Sequence, residues 1–471
     1  MDAENRPLGG ETAAASAKAF AQLRRQLAGD LLCPGASEYD MARRLWNGMI
    51  DRRPAAIARC ASAGDVRAAV LFAAETGLPF AIRGGGHSIS GASSCDAGLV
   101  VDLTRMSRVE VDPKARTARA EAGVLLGRFD IATQAHGLAT TMGVNSDTGI
   151  AGLTLGGGLG RLGRSVGLTC DNLVSAEIVL ADGRVAQTSE TEHPDLFWAL
   201  RGGGGNFGVV TSFLYRLHPL GPVVLGGMLM WPFAQARDAM RLYAAFCAEA
   251  PDDVDALGVL LTGPDGEKYF AVSCFCAGSV ARGEVALRPL RDGAVRPLQD
   301  QVGPTAYTAL QGSADGLFPR TRRYYWKSHF LPHLADLAID TLLERFAQVP
   351  SPMSVIGLQQ VGGAIARVPV EATAYANRNA AFDCIPIAIW EDPAVDAANI
   401  TWSRSVWEAM RPFSTGGVYV NNLGEEGEER IRAAYGPNLQ RLAAVKSMYD
   451  PENLFRLNQN IRPAAQASSP V

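Results

Sequence analysis

His87 follows a run of three glycines, in Arg83-Gly-Gly-Gly-His-Ser88. The glycines leave the backbone bare, so it can touch a flat or charged ligand directly. An imidazole beside such a ligand can act as a base, a hydrogen-bond donor or a nucleophile. The spacing therefore predicts a ligand site with His87 as its reactive group.

Dense glycine clusters occupy residues 84–91, 143–163 and 202–208 of a chain that contains 50 glycines. Each lies beside the start of a predicted strand or helix, where backbone N–H groups can approach phosphates. Such spread along the chain favours a large, extended ligand, for example a pyrophosphate joined to a tricyclic ring. A nicotinamide-binding Rossmann domain is the alternative, because 158–163 and 203–208 both match G-x-G-x-x-G. Neither match opens a clean βαβ unit.

Composition narrows the class of protein. The 471 residues exceed one ordinary core and predict two domains. A net charge of -4 without basic runs argues against nucleic-acid binding, and the absence of a long apolar run or a signal peptide argues against a membrane protein.

Eight scattered cysteines favour free thiols in a reducing cytoplasm. Cys274-Phe-Cys276 fits a strand, and no metal site is predicted. Nothing in the sequence predicts an oligomeric state.

The elements of the first 220 residues mix helices with hairpins, which is α+β order. The pattern predicts helices at 66–75 and 125–136, strands at 79–83, 99–103, 109–111, 117–122 and 207–217, and a hairpin about Asp182-Gly183.

Beyond a proline- and glycine-containing boundary at 218–222, alternating strands are predicted at 224–231, 256–262, 268–276, 354–361 and 382–390, with helices at 233–250, 280–291, 333–348 and 395–410. This order predicts an antiparallel sheet with helices on one face. The expected divisions are a loose lead-in (1–45), a glycine-rich domain (50–221), a substrate domain (222–415), a C-terminal segment that completes the glycine-rich domain (416–463) and a tail (464–471).

Several motifs in order make the chain resemble the FAD-linked oxidases of the vanillyl-alcohol oxidase superfamily, in the berberine bridge enzyme-like branch. The motifs are Arg83-Gly-Gly-Gly-His-Ser88, the glycine-rich stretch 149–158, the stretches 167–172 and 195–211, and Asn453-Leu-Phe-Arg-Leu-Asn-Gln-Asn-Ile461. The resemblance implies an α+β fold: a p-cresol methylhydroxylase (PCMH)-type FAD domain in two lobes, and a separate substrate domain.

The resemblance also implies that His87 bonds covalently to FAD. Many relatives add a second link through a cysteine, but that position falls on Asn145 here, so a single attachment is expected and Cys170 is an ordinary thiol. The expected cofactor-binding residues are Arg83, Gly84, Gly85, Gly86, His87, Ser88, Gly91, Gly143, Asp147, Thr148, Gly149, Gly152, Gly157, Gly158, Asp171, Asn172, Asn421 and Asn458.

Flavin oxidation needs a base for the proton of the O–H or N–H being oxidised. The family often uses a tyrosine in a Tyr-x-Asn pattern, here Tyr419-Val-Asn421. A phenol with a reference pKa near 10 needs a neighbouring cation to act as a base, and Lys327 is the expected supplier. Asp383, a charge in an apolar strand, is expected to face the pocket or to be paired.

The predicted activity is an FAD-dependent oxidase that takes a hydride from a small or medium alcohol, amine or aromatic natural product and reduces oxygen to hydrogen peroxide. Two alternatives stay open. One is a flavin dehydrogenase or nicotinamide-linked reductase, which oxygen uptake would separate from an oxidase. The other is a flavin-bearing protein that sequesters an aromatic drug, which multiple turnover would exclude.

Overall fold

The computed structural model describes residues 10–464, with side chains from residue 18 onward. The first lobe contains α1 (Gly10–Gln26), β1 (Asp30–Leu32), α2 (Tyr39–Ala42), β2 (Ala56–Arg59), α3 (Ala63–Thr76), β3 (Phe80–Arg83) and β4 (Leu99–Asp102). Its sheet has the order β1-β2-β4-β3, in which β2, β4 and β3 run parallel. The carboxyl ends of these three strands therefore share one edge, and the glycine run before His87 starts there.

The N-terminal region differs from the predicted loose lead-in. Helix α1 contacts α3, and β1 pairs with β2 in antiparallel register. Leu23 and Leu31 are buried in the first hydrophobic core. The alanine-rich composition that looked loose in the sequence is instead a good helix former. Residues 1–9 lie outside the described part of the chain.

The second lobe is an antiparallel sheet of order β5-β6-β10-β8-β9. Its elements are β5 (Val109–Asp112), β6 (Thr117–Glu121), α4 (Leu126–Gln134), β7 (Leu138–Ala139), α5 (Ile150–Leu155), α6 (Gly163–Val166), β8 (Leu173–Val179), β9 (Val185–Ser189), α7 (Pro194–Leu200), β10 (Val209–Arg216) and β11 (His218–Pro219). The predicted hairpin is present, because β8 pairs with β9 across a turn in which Gly183 has a φ of +79°.

The third region is built on a larger antiparallel sheet of order β15-β12-β14-β13-β19-β20-β17. Its elements are β12 (Val223–Pro232), α8 (Ala236–Glu249), β13 (Val254–Thr262), β14 (Lys268–Cys276), α9 (Val280–Ala286), α10 (Arg288–Arg291), β15 (Gln299–Asp300), β16 (Gly303–Ala306), α11 (Tyr307–Gln311), β17 (Arg323–Trp326), β18 (His329–Leu331), α12 (Asp336–Ala347), β19 (Val355–Gln360), α13 (Ala364–Arg367), β20 (Phe382–Trp390) and α14 (Asp396–Met410). Helix α12 packs between α8 and α14, and all three share one core with the sheet. This confirms the predicted architecture.

The C-terminal segment returns to the first two lobes. It contains α15 (Glu428–Tyr435) and α16 (Leu439–Tyr449). Val420, Tyr435, Phe455 and Ile461 are buried in the same core as the strands of both lobes. Because β11 and β12 belong to different sheets, we propose a domain boundary near residue 222. No helix among residues 10–464 is long and apolar enough to span a bilayer.

Candidate active site

A glycine-walled cavity lies where the two lobes meet the C-terminal segment. Its volume is about 340 Å³. Its walls include backbone from 84–88, 148–155 and 204–210, and residues 419–423 and 455–459 close it. Parts of all the glycine clusters described above therefore line one cavity, as expected for a single extended ligand.

Glycine is required in this cavity for two different reasons. A Cβ atom on Gly85 would lie 2.4 Å from the backbone nitrogen of Gly149, so these two turns pack directly against each other. A Cβ atom on Gly152 or Gly205 would meet no described protein atom within 4 Å. Close packing explains why Gly85 and Gly149 are glycines. At Gly152 and Gly205, the absence of a side chain leaves room for a ligand.

His87 lines the cavity and is held from two directions. Its Nε2 lies 3.0 Å from Oδ1 of Asp147, and its ring stacks on Trp46 with centroids 4.1 Å apart. Trp46 is buried and stacks in turn on Tyr324 at 3.8 Å. Burial works to raise the pKa of Asp147, but His87 and Arg320 outweigh it and the pKa is lowered. Asp147 is thus a carboxylate that can only accept a hydrogen bond from Nε2–H, which places the lone pair of the neutral imidazole on Nδ1.

Arg320 connects Asp147 to the glycine run. Its Nε lies 2.8 Å from Oδ2 of Asp147, and its Nη2 donates to the backbone oxygens of Gly85 at 3.0 Å and Asp147 at 3.1 Å. A planar guanidinium fixes several acceptors at once. Arg320 therefore fixes the carboxylate that orients His87.

Tyr419 also lines the cavity and is almost fully buried. Its hydroxyl oxygen accepts hydrogen bonds from the backbone N–H of Gly158 at 2.9 Å and from Nδ2 of Asn421 at 2.8 Å. Burial raises the pKa of Tyr419 above its usual value, although these donors favour the phenolate and oppose that effect. The Tyr-x-Asn pattern is thus a direct contact between its tyrosine and its asparagine.

Asp383 lies in β20 with no exposed surface, and it does not line the cavity. Its Oδ2 accepts a hydrogen bond of 2.8 Å from Nδ2 of Asn422, which does line the cavity. Burial raises the pKa of Asp383 to about 7. Asp383 is therefore paired, and it reaches the cavity through Asn422.

Lys327 does not supply a cation to Tyr419. Its Nζ lies 2.5 Å from Oε2 of Glu426 and 4.2 Å from the ring centroid of Trp407, and Lys327 does not line the cavity. The positive charge of Lys327 is therefore stabilised by the Glu426 carboxylate and the face of the Trp407 ring, not directed at Tyr419. The polar neighbours of the Tyr419 hydroxyl are N–H donors instead.

Many of the predicted cofactor-binding residues do line the cavity: Gly84, Gly85, Gly86, His87, Ser88, Thr148, Gly149, Gly152, Asn421 and Asn458. Three other predicted residues do not line the cavity themselves but contact a residue that does. Asp147 binds His87, Gly158 donates to Tyr419, and a Cβ atom on Gly157 would lie 3.5 Å from the ring of Tyr419.

The remaining predicted residues lie elsewhere for packing reasons. Asp171 accepts two hydrogen bonds, of 2.7 and 2.8 Å, from the buried guanidinium of Arg378. Asn172 donates to the carbonyls of Val166 and Leu168. Two glycines pack tightly, Gly91 against Ile50 and Gly143 between Leu126 and Leu153. Arg83 faces a second cavity, described below.

The sequence analysis missed several cavity residues. Asn206 lines the cavity and accepts a hydrogen bond of 2.9 Å from the backbone N–H of Ile461. Tyr435 and Gln459 also line it, and the Tyr435 hydroxyl donates to the carbonyl oxygen of Gln459 at 3.1 Å. A polar residue between glycines was a usable signal for Asn206, whereas the other two depend on how the C-terminal segment folds back.

The lining of the cavity fits FAD. It combines glycine N–H groups with the hydroxyls of Ser88, Ser90, Ser93 and Thr148, all of which can donate to phosphates. Asn458 donates through Nδ2 to the carbonyl of Gly205 at 3.0 Å, while its buried Oδ1 has no partner among the described residues. An unpaired acceptor at the cavity wall is suited to a ligand N–H group.

Comparison with known proteins agrees with this site. A family model described as an FAD binding domain matches residues 54–189, and one described as berberine and berberine like matches residues 418–462. An FAD-linked oxidoreductase from Dictyostelium discoideum is 31% identical over 436 residues, covering 91% of this chain and 93% of the relative. The (R)-6-hydroxynicotine oxidase of Paenarthrobacter nicotinovorans is 32% identical over 453 residues, covering 92% and 97%.

Solved structures show the same fold over nearly the whole chain. The 6-hydroxy-D-nicotine oxidase of Arthrobacter nicotinovorans matches with a TM-score of 0.86 and 28% identity, covering 93% of this chain and 98% of that one. Berberine bridge enzyme from Eschscholzia californica matches with a TM-score of 0.86 at 22% identity, covering 95% and 99%. The chain therefore belongs to the berberine bridge enzyme-like family of FAD-linked oxidoreductases.

Proposed function

We propose that this enzyme is an oxidase whose FAD is attached covalently through His87 alone. FAD, when bound, accepts a hydride equivalent from the substrate and passes two electrons on to molecular oxygen, which gives hydrogen peroxide. The single observation that carries the proposal is His87 at the cavity wall, with Nε2 engaged by Asp147. This arrangement leaves Nδ1 as the nucleophilic nitrogen.

The chain's own residues divide the remaining work. Trp46 and Asp147 fix the imidazole ring, and the glycine backbone excludes side chains from the cofactor's place. Tyr419 is the residue that we propose receives the substrate proton. Its phenol must lose its own proton first, against the rise in pKa that burial causes, and the donors from Gly158 and Asn421 lower that cost because they stabilise a phenolate. Asp383 positions Asn422.

The substrate we propose is a small or medium alcohol, amine or aromatic natural product. The cavity wall that includes Tyr419 also includes the indole of Trp326 and the amides of Asn421 and Asn422. Such a wall suits an aromatic compound with one or two polar groups. The relative named as a hydroxynicotine oxidase, and the solved structure that carries the corresponding name, favour the same class.

Photoreduction of the purified protein followed by exposure to air tests the proposal. An oxidase regains its yellow colour in air and forms hydrogen peroxide in equal amount, because two electrons reduce one oxygen molecule. A substrate screen under anaerobic conditions then looks for bleaching of the flavin band. Slow reoxidation in air with rapid reoxidation by a dye would identify a dehydrogenase instead.

A further inference from the structure

A second cavity, which we call the arginine groove, lies on the other side of the glycine run that carries His87. Its volume is about 500 Å³, and Gly85 and Gly86 line both cavities. The carboxyl ends of β2, β3 and β4 meet at its base, which brings Arg59, Arg83 and Asp102 to one edge. The groove therefore follows directly from the parallel register of these strands.

The groove is strongly basic. Five arginines line it, Arg44, Arg59, Arg83, Arg128 and Arg320, against one carboxylate, Asp102. Arg59 pairs with Asp30 and Glu38, and Arg320 pairs with Asp147. No carboxylate of the described residues pairs with Arg44 or Arg128, both of which are exposed at the mouth. Positive charge is thus left unneutralised at this site.

Arg83 is the decisive residue. It is only 5% exposed, and one of its terminal nitrogens donates to the carbonyl of Ala42. Its Nε and Nη2 are buried without a hydrogen-bond partner among residues 18–464, since Oδ2 of Asp102 lies 3.7 Å from Nε. Burial lowers the pKa of Arg83; the charge of Asp102 opposes this only in part, and the charge of Arg320 adds a smaller lowering effect. Buried guanidinium donors are normally paired, so this pair of nitrogens points to a missing acceptor.

We propose that the arginine groove binds a phosphate group, either free or as a small monoester, and that its occupancy is coupled to the residues that hold His87. Nε and Nη2 of one guanidinium match two oxygens of an oxyanion. A phosphate dianion carries two negative charges and therefore neutralises more of the arginine charge in the groove than a ligand with one carboxylate would. The buried floor and exposed mouth fit a small anion that enters from solvent.

Arg320 provides the coupling. The same guanidinium lines the groove and binds both Asp147 and the carbonyl of Gly85. A phosphate in the groove competes with Asp147 for Arg320, and Asp147 is the partner of His87. Thermodynamic linkage makes this effect reciprocal: whatever weakens the hold of Asp147 on Arg320 strengthens phosphate binding. The inference does not depend on the proposed oxidase activity.

Titration calorimetry on the holoenzyme, at constant ionic strength set with sodium chloride, tests the binding. We expect saturable binding of inorganic phosphate and much weaker binding of acetate. Methyl phosphate distinguishes the two sources: comparable binding supports a monoester ligand, and binding of inorganic phosphate alone supports the free ion. A response no larger than that to chloride would overturn the proposal.

Variants locate the site. R44M/R128M removes two exposed arginines and should weaken phosphate binding by about tenfold or more, since each charge-assisted contact contributes strongly. R296M, at an exposed arginine of the third region, is the matched control and should bind as the parent does. R83M should abolish binding; if that variant does not fold, R44M/R128M still decides the matter. Parent-like affinity in R44M/R128M would overturn the assignment.

D147N tests the coupling. Neutralising Asp147 releases the charge of Arg320, so phosphate affinity should rise by about three- to tenfold. D315N is the control, because Asp315 binds the neighbouring Ser146 and does not line the groove. Equal phosphate affinity in D147N, D315N and the parent would overturn the coupling to His87.

Discussion

The Nε2 atom of His87 lies 3.0 Å from Oδ1 of Asp147, and the imidazole ring lies flat against Trp46. The carboxylate selects which ring nitrogen carries the proton, while the indole fixes the plane of the ring. One histidine is thereby presented to the glycine-walled cavity in one orientation and one tautomer. This relationship leads to the first prediction.

We expect the flavin to remain with the polypeptide after acid precipitation, because a carbon–nitrogen bond at His87 survives unfolding. H87A should release its FAD into the supernatant but still bind it in the folded state, since the glycine walls remain. Absorbance of pellet and supernatant measures both. All flavin in the supernatant of the parent protein would contradict covalent attachment, and an unfolded H87A would make the histidine structural.

A single attachment is the second prediction. Asn145 occupies the position where relatives carry the second cysteine, and its Oδ1 accepts from the backbone N–H of Asp147 at 3.3 Å. Cys170 is fully buried, and burial raises its thiol pKa well above the usual value, so it is a poor nucleophile. Peptide mass mapping should therefore find flavin only on the peptide that contains His87. Flavin on any cysteine peptide would show that the alignment of this segment is wrong.

Much of this organisation could be read from local sequence. The sequence predicts β12, β13, β14, β19 and β20 to within a few residues. Burial alternates along parts of β13, β19 and β20, whereas β14 is an apolar run that is buried from Tyr269 to Cys276. The glycine run before His87 was equally visible, since only a close approach of backbone explains it.

Long-range pairs could not be read in this way. Asp171 belongs to the motif at 167–172, yet its partner Arg378 is 207 positions away and makes its role structural. The charge of Lys327 predicts a role beside Tyr419, but Glu426 in the C-terminal segment neutralises that charge. Helix α1 was missed because its alanine-rich stretch shows little apolar periodicity, although Leu23 is buried.

The third prediction concerns pH. Burial raises the pKa of Asp383 to about 7, compared with about 3.9 in an unfolded chain. Below pH about 4 the carboxyl is protonated in both states; between pH about 4 and 7 only the unfolded chain releases its proton, so stability falls as pH rises. D383N cannot ionise and lacks this decline.

The stability advantage of D383N should therefore grow by ~2–3 kcal/mol between pH 5 and pH 8, and its advantage in unfolding temperature should grow by about 2–3 °C. Scanning calorimetry of both proteins at the two pH values measures it. Asp130 and Asp255, whose pKa values burial also raises to about 7, are unchanged in both proteins and cancel in the comparison. A difference in unfolding temperature that is constant from pH 5 to 8 would show that Asp383 is ionised throughout.

The fourth prediction assigns proton removal to Tyr419. Y419F deletes the oxygen that accepts from Gly158 and Asn421, so the substrate proton loses its acceptor. Flavin reduction should slow by about 10²- to 10⁴-fold, the range for a lost general base, while flavin content stays intact. Anaerobic stopped flow with a substrate from the screen measures the rate.

Y375F is the matched control for Y419F. Tyr375 is buried in the same hydrophobic cluster, with its ring centroid 6.2 Å from that of Tyr419, but it does not line the cavity. Losing this hydroxyl should leave the reduction rate within about threefold of the parent, because no substrate proton reaches it. If Y419F also stays within about threefold, the base lies elsewhere, since general-base losses are rarely so small. Asp383, whose raised pKa of about 7 suits proton transfer near neutral pH, would then be the next residue to replace.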